Sequence, residues 1–345
     1  QDKQTNNIMT ESSQTVSQLV FGTGLTGGFL LGALMHSGAQ VAAVARPSNE
    51  ECWNHGLELS DYHDHNVVLP KPDRIRPTDG RVFELIWLTV KCTATESIIE
   101  DLRAFVGAST TIVCCQNGFG SDAIIRDAFP NNRVENAIVG FNVAAVNPAH
   151  LRRATEGDFV ISRALADSYN LDFGSNIMPL HISQDMLASR WAKLQLNLAN
   201  AVNALADVPV KTMLEDRAYR KVIAAIMREL LAVVKHRQIK LPKIAAIPGR
   251  WMPALMTLPN RVYLSIAQST LAIDPSARTS MWWDLKNGVK TEIEFINGAV
   301  SLYGREFGIP TPANDALIAL VKEVENGSKS RDWSAEEFRD LIIKQ

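Results

Sequence analysis

From Gln18 onward, short apolar runs alternate with longer stretches whose apolar residues recur at helical spacing, the pattern of strands joined by crossover helices. It predicts strands at 18–21, 40–45, 85–90 and 110–115, followed by 137–140, with a weaker one at 66–69 in a polar stretch and another near 158–161. After about Ser183 the β-branched runs thin out and amphipathic helical spacing takes over. Leu187, Trp191, Leu194, Leu198, Val202 and Leu205 form one apolar stripe of period 3.6, which predicts a core helix. Further helices are expected around 217–237, 261–271, 281–307 and 314–325, set off by turn residues such as Pro248-Gly249 and Gly308-Ile309-Pro310.

This pattern divides the chain into a polar extension (1–17), an α/β domain (18–182), an all-α domain (183–326), and a linker with a terminal helix (327–345). The segment 1–10 is left out of the fold as a trimmed or added extension. No internal repeat or low-complexity segment is evident.

Composition narrows the functional classes. Of 345 residues, 46% are hydrophobic and 21% charged, which supports a sizeable core and excludes global disorder. Lys and Arg number 35 against 37 Asp and Glu, so no field of one sign exists to attract nucleic acid or a membrane surface. An anionic ligand must be small. Cys52, Cys92, Cys114 and Cys115 form no CxxC pair, which fits a reducing compartment. No apolar run reaches the roughly 18–20 residues needed to span a bilayer, and the expectation is a cytoplasmic protein.

The segment Gly22-Thr23-Gly24-Leu25-Thr26-Gly27 follows the first strand and opens a helical pattern. In that setting GxGxxG predicts a dinucleotide site in a doubly wound, Rossmann-type sheet. Glycines permit a tight turn and close approach of a pyrophosphate, and free N–H groups at the helix start point at the anion. The second predicted strand ends Ala45-Arg46-Pro47, with arginine where an NAD site usually has Asp or Glu. A guanidinium there pairs with a 2′-phosphate and favours NADP(H); the alternative is a solvated surface arginine.

Lys91 ends one predicted strand and Gln116-Asn117-Gly118 ends another. In an open parallel sheet these ends share one ligand crevice with the glycine turn, although a solvated lysine and an Asn-Gly turn would read the same way. On the predicted core helix, Lys193, Asn197 and Asn200 fall within about 60° of one another, away from the apolar stripe. Asparagine is a mediocre helix former, so a repeated row points to a specific hydrogen-bonding task. A lysine beside a nicotinamide stabilises the oxygen that becomes negative when hydride reaches a ketone carbon, and protonates it. Ser280 and Glu292 lie in the predicted run 281–307 or at its start; an N-cap and a surface acid are equally good readings of them on spacing alone. His63-Asp64-His65 has metal-compatible residues in a polar connection, and no metal is assigned.

Together, Gln116-Asn117-Gly118, Trp191-Ala192-Lys193-Leu194 through Asn197, Thr279-Ser280-Met281, Thr291-Glu292-Ile293 and Ile296-Asn297-Gly298 resemble the ketopantoate reductase family in identity and order, from about Leu19 to Glu325. The resemblance implies Lys193 as general acid and Glu292 as a group that assists the reacting carbonyl and contacts the cofactor. Asn117 is implied between nicotinamide and substrate, Asn197 at the substrate's hydroxyl end, and Ser280 at its carboxylate. Arg46 and Lys91 match positions that contact NADPH. Where the family commonly has a second Asn four residues after Asn197, followed by Pro, Ala201-Val202 stand here; Asn200, one position earlier, is taken as its substrate-binding counterpart. The expected reaction is NADPH-dependent reduction of 2-dehydropantoate. A reductase of this architecture acting on another 2-oxo or 3-hydroxy acid and a catalytically idle NADPH sensor stay open. Helical domains of this kind often supply dimer contacts, so a homodimer stays open, with no patch of the sequence singled out as its interface.

Overall fold

The computed structural model describes residues 16–44, 51–243, 247–267 and 275–343. Arg46, most of the polar extension and the end of the helix expected over 261–271 lie outside the described residues.

Thirteen strands run in chain order through the described part of the first half: β1 (Gln18–Phe21), β2 (Val41–Val44), β3 (Leu57–Asp61), β4 (Asn66–Leu69), β5 (Asp73–Arg74), β6 (Phe83–Leu88), β7 (Val106–Cys114), β8 (Arg133–Asn136), β9 (Ile138–Val139), β10 (Val143–Asn147), β11 (His150–Arg153), β12 (Phe159–Ser162) and β13 (Leu180–Ser183). The main sheet has the order β5-β2-β1-β6-β7-β8, and every pairing in it is parallel. Alternate residues enter opposite cores. Leu19, Phe21, Ile86, Leu88 and Ile112 pack with Leu102, Phe105 and Ile125 on one face, whereas Val20, Leu85, Trp87 and Val113 pack with Phe29, Leu30 and Leu31 on the other. A sheet buried on both faces needs near-continuous apolar strands, and this is the signal the sequence carried. The doubly wound expectation holds.

One strand expectation in this half is corrected. The segment expected as one strand at 137–140 does not extend the main sheet. β8 takes that edge, and the ladder stops where Ala137 N–H donates to Cys114 O (2.9 Å). The chain then peels away, and β9 pairs antiparallel with β12 in a three-stranded sheet of order β13-β12-β9. The strand expected at 66–69 forms with those bounds as β4, in a second sheet of order β10-β11-β3-β4.

From Met186 onward the described elements are helical. Helix Arg217–His236 is central. Its Val222, Ile223, Ile226, Leu230 and Val233 share one core with Leu194, Val202, Val300, Leu317 and Phe338. The apolar stripe of the expected core helix is buried from Trp191 to Leu205, but Leu187 in its first turn is 40% exposed. The element forms two helices, Met186–Asn197 and Ala199–Ala206. Leu198 between them keeps helical dihedrals and donates to Leu194 O (3.0 Å), so the axis carries through. The single helix expected over 281–307 is broken into Ser280–Lys286 and Ile293–Phe307. Gly288 at φ +64° ends the first, a left-handed geometry that terminates helices. No described helix is long and apolar enough to cross a membrane.

Candidate active site

The glycine turn joins β1 to helix Leu25–His36, and each glycine meets a different constraint. Gly22 sits at φ +105°, and a Cβ there would lie 2.6 Å from Val90 Cγ1. At Gly27 a Cβ would fall 1.9 Å from Gly22 O, so helix and turn touch backbone to backbone. Gly24, the N-cap, has open space where a Cβ would stand and no side chain capping the helix N–H groups. The first helical turn carries no acid. A tight turn, close helix contact and an open, uncapped helix start are what a pyrophosphate requires. Thr23 is buried, and its hydroxyl donates to Val44 O at the end of β2 (3.4 Å). Leu25 is exposed and Thr26 half-buried beside the open start.

β6 and β7 end on the same edge of the sheet. Just beyond β6, the Lys91 ammonium pairs with Asp284 of helix Ser280–Lys286. Burial raises the Asp284 carboxyl and the lysine opposes that. The next N–H, that of Cys92, donates to Glu292 Oε1 (2.8 Å), and the Cys92 thiol donates to Asn117 O (3.1 Å). Burial, then the Glu292 charge, pushes that thiol well above its ordinary value, so it stays protonated.

Beyond β7, Asn117, Gly118 and Phe119 form the seam between the halves. Asn197 Nδ2 donates to Asn117 Oδ1 (3.2 Å), and Phe119 N–H donates to Phe295 O (2.9 Å). Gly118 lies at φ +77°, and a Cβ there would sit 2.0 Å from Phe295 O; only glycine permits this approach. Arg190, one turn before Lys193, gives Asp122 two bonds and Gly118 O a third (each 3.1 Å), with its guanidinium 4.2 Å from the Phe119 ring centroid. Arg190 and Arg126 hold the Asp122 carboxyl far below the usual range against the opposing effect of burial.

Lys193 is one turn from Asn197 on the same helical face, half-buried, and no described carboxylate pairs with it. Burial lowers its ammonium from 10.5 to about 8. The structure thus brings Asn117, Asn197 and, by helical register, Lys193 to one seam, with Lys91 and Glu292 fastened to the adjoining edge. Asn200 is half-buried, and its backbone oxygen accepts from the Thr279 hydroxyl (3.3 Å). Ser280 is exposed in the first turn of its helix, and the N-cap role falls to Thr279, whose side chain accepts from Trp282 N–H (3.4 Å). Glu292 is not inside a long helix but at the N-cap position of Ile293–Phe307. Asn297 is fully buried and donates to Asn314 (3.0 Å), away from the seam. His65 Nδ1–H donates to the Asp61 carboxylate (2.8 Å), and no cluster of three metal-ligating side chains occurs among the described residues.

Sequence reasoning missed Asp284, the Cys92 N–H, and the Arg190–Asp122 pair. Only Asp284 carried a readable signal, lying four residues after Ser280 and hence on the same helical face.

Residues 18–165 match the sequence profile of ketopantoate reductase PanE/ApbA, and residues 185–325 match that of its C-terminal part. The chain belongs to the ketopantoate reductase family. That family is one of oxidoreductases. A 2-dehydropantoate 2-reductase of Aquifex aeolicus is 24% identical over 325 residues, covering 89% of this chain and 96% of the relative. Among solved structures, a PanE/ApbA family ketopantoate reductase from Ralstonia eutropha JMP134 superposes with a TM-score of 0.73 at 25% identity, covering 91% of this chain and all of that one. A D-mandelate dehydrogenase solved with NADH and anilino(oxo)acetate shares the fold, with a TM-score of 0.70 at 22% identity and coverage of 90% and 99%.

Proposed function

We propose that this member of the ketopantoate reductase family reduces 2-dehydropantoate to pantoate with NADPH. The observation that carries the reading is the Asn197–Asn117 contact. It sets the helix bearing a burial-weakened lysine, with no carboxylate partner among the described residues, against the carboxyl edge of a sheet whose glycine turn suits a dinucleotide.

In this reading Gly22, Gly24 and Gly27 shape the pyrophosphate site, and Thr23, Leu25 and Thr26 complete its wall. Arg46 takes the 2′-phosphate and Lys91 a cofactor phosphate. When bound, the nicotinamide supplies hydride to the C2 carbonyl. Lys193 donates its proton to the carbonyl oxygen as that oxygen gains charge, becomes a neutral amine, and is reprotonated from solvent. Donation is feasible because an ammonium near 8 is charged at neutral pH yet gives up its proton far more readily than an ordinary lysine. Glu292, anchored on Cys92 N–H, fixes the reacting group and the cofactor's adjoining edge. Asn117 and Asn197 orient the substrate between the halves, Asn200 lies toward its distal end, and Ser280 holds its carboxylate.

A second 2-oxo acid is favoured by one observation. Ala201 stands where the family commonly has a second asparagine and is fully buried in the helical core, so that position offers no amide to the hydroxyl of a hydroxylated substrate. The purified protein should oxidise NADPH in the presence of ketopantoate faster than with pyruvate, 2-oxoisovalerate or benzoylformate. Equal rates, or a preference for an acid without a hydroxyl, defeat the pantoate assignment. No oxidation with any of them defeats the reductase reading.

A further inference from the structure

Lys91 and Cys92 are adjacent, yet they hold two different parts of the helical half. The Lys91 ammonium holds Asp284, and the Cys92 N–H holds Glu292. The stretch from Asp284 to Glu292 is therefore fastened at both ends to one dipeptide at the carboxyl edge of β6. Ser280 lies one helical turn before Asp284, on the same face. Asp284 is a buried residue, whereas the Lys91 side chain is 44% exposed. One side of the ammonium is thus committed to Asp284 and the rest is open. An ammonium has three donors, enough for a carboxylate and a phosphate together.

Resting on the NADPH reductase reading, we propose that Asp284 is a positioning residue that shares Lys91 with a cofactor phosphate and so fixes the Ser280 helix against the cofactor half. Two effects of opposite sign follow from removing its charge. Lys91, no longer neutralised, attracts the phosphate more strongly, and NADPH binds tighter. Helix Ser280–Lys286 loses its tie to β6, and the substrate carboxylate site loosens. A carboxylate with only a scaffolding task would weaken both ligands or neither.

The test uses Asp284→Asn, which keeps the side chain's shape, and reads two quantities on the full chain. NADPH affinity is taken from cofactor fluorescence titration, and the KM for ketopantoate from steady-state rates. We expect NADPH Kd to fall about three- to tenfold and KM to rise about tenfold or more, with kcat within about threefold of wild type. Asp284→Glu should restore both values in part. In a Lys91→Met background, the Asp284→Asn change should no longer alter NADPH affinity, because the shared partner is gone. If Asp284→Asn does not fold, Lys91→Met alone decides, since it must raise KM for ketopantoate as well as weaken NADPH. An unchanged or weaker NADPH affinity in Asp284→Asn, or a KM within twofold of wild type, overturns the proposal while leaving the reductase reading intact. A wild type that binds NADPH but reduces no 2-oxo acid overturns that reading, and the titration still decides the sharing of Lys91.

Discussion

Lys193→Ala is the perturbation that bears most directly on the chemistry. Burial brings the Lys193 ammonium from 10.5 to about 8, a bias toward the neutral amine on the order of 3 kcal/mol. At pH 7 about nine tenths of the molecules still carry the proton. A positioned general acid contributes roughly 10²- to 10⁴-fold, so kcat for ketone reduction should drop by that factor. NADPH affinity should stay within about threefold, because the glycine turn stands on the other half of the molecule. The sign with pH is fixed by the direction of transfer. Reduction consumes the ammonium, so wild-type kcat should be level below pH 8 and fall as pH rises through it, whereas alcohol oxidation needs the free amine and should climb toward pH 8. Lys193→Arg separates charge from proton supply: a guanidinium keeps the charge but cannot release a proton in this range. It should remain at least about a hundredfold slower and lose the decline above pH 8. Stopped-flow measurement of NADPH consumption across pH 6–10 gives all of these values. A Lys193→Ala rate near wild type, or a flat wild-type profile, would refute the assignment of the acid.

Three further outcomes can be measured. Gly118→Ala places a Cβ 2.0 Å from Phe295 O at positive φ; it should cost roughly 3 kcal/mol of stability by urea titration, and a loss below 1 kcal/mol would show that the seam yields easily. Asp122→Asn leaves Arg190 without its carboxylate and should cost about 3–5 kcal/mol at pH 7. Because the folded-state pKa of Asp122 is depressed, the stabilisation is present above the ordinary carboxylate pKa and lost as pH falls below it, so the gap between variant and wild type should narrow below about pH 4; a constant gap argues against an electrostatic origin. Arg46→Ala should weaken NADPH at least tenfold more than NADH if its guanidinium reads the 2′-phosphate, and equal losses in the two titrations would remove it from that role.

What could be read from the sequence tracks what is local. The β1 turn with Gly22, Gly24 and Gly27, the strand ends at Lys91 and Asn117, and the Lys193–Asn197 face each follow from periodicity plus a few residue types. β3, β10 and β11 were missed because their outward positions are polar or weakly apolar, as in Glu58, His150 and Arg152; a sheet buried on one face leaves a fainter trace than one buried on both. Asn287-Gly288 interrupts the run expected as one helix over 281–307, a stop hidden by the apolar spacing on either side. Asp284 on Lys91 and Glu292 on Cys92 join residues about 200 positions apart in the chain, and no periodicity encodes such a meeting.

The bond from Phe119 N–H to Phe295 O runs main chain to main chain. It involves neither ring, so this one joint at the reaction edge is made without the side chains that the Lys91–Asp284 and Asn197–Asn117 ties require. Lineages can therefore exchange the lining of the substrate chamber, and with it the preferred acid, without resetting the alignment of the two halves, so long as the residue between Asn117 and Phe119 stays bare.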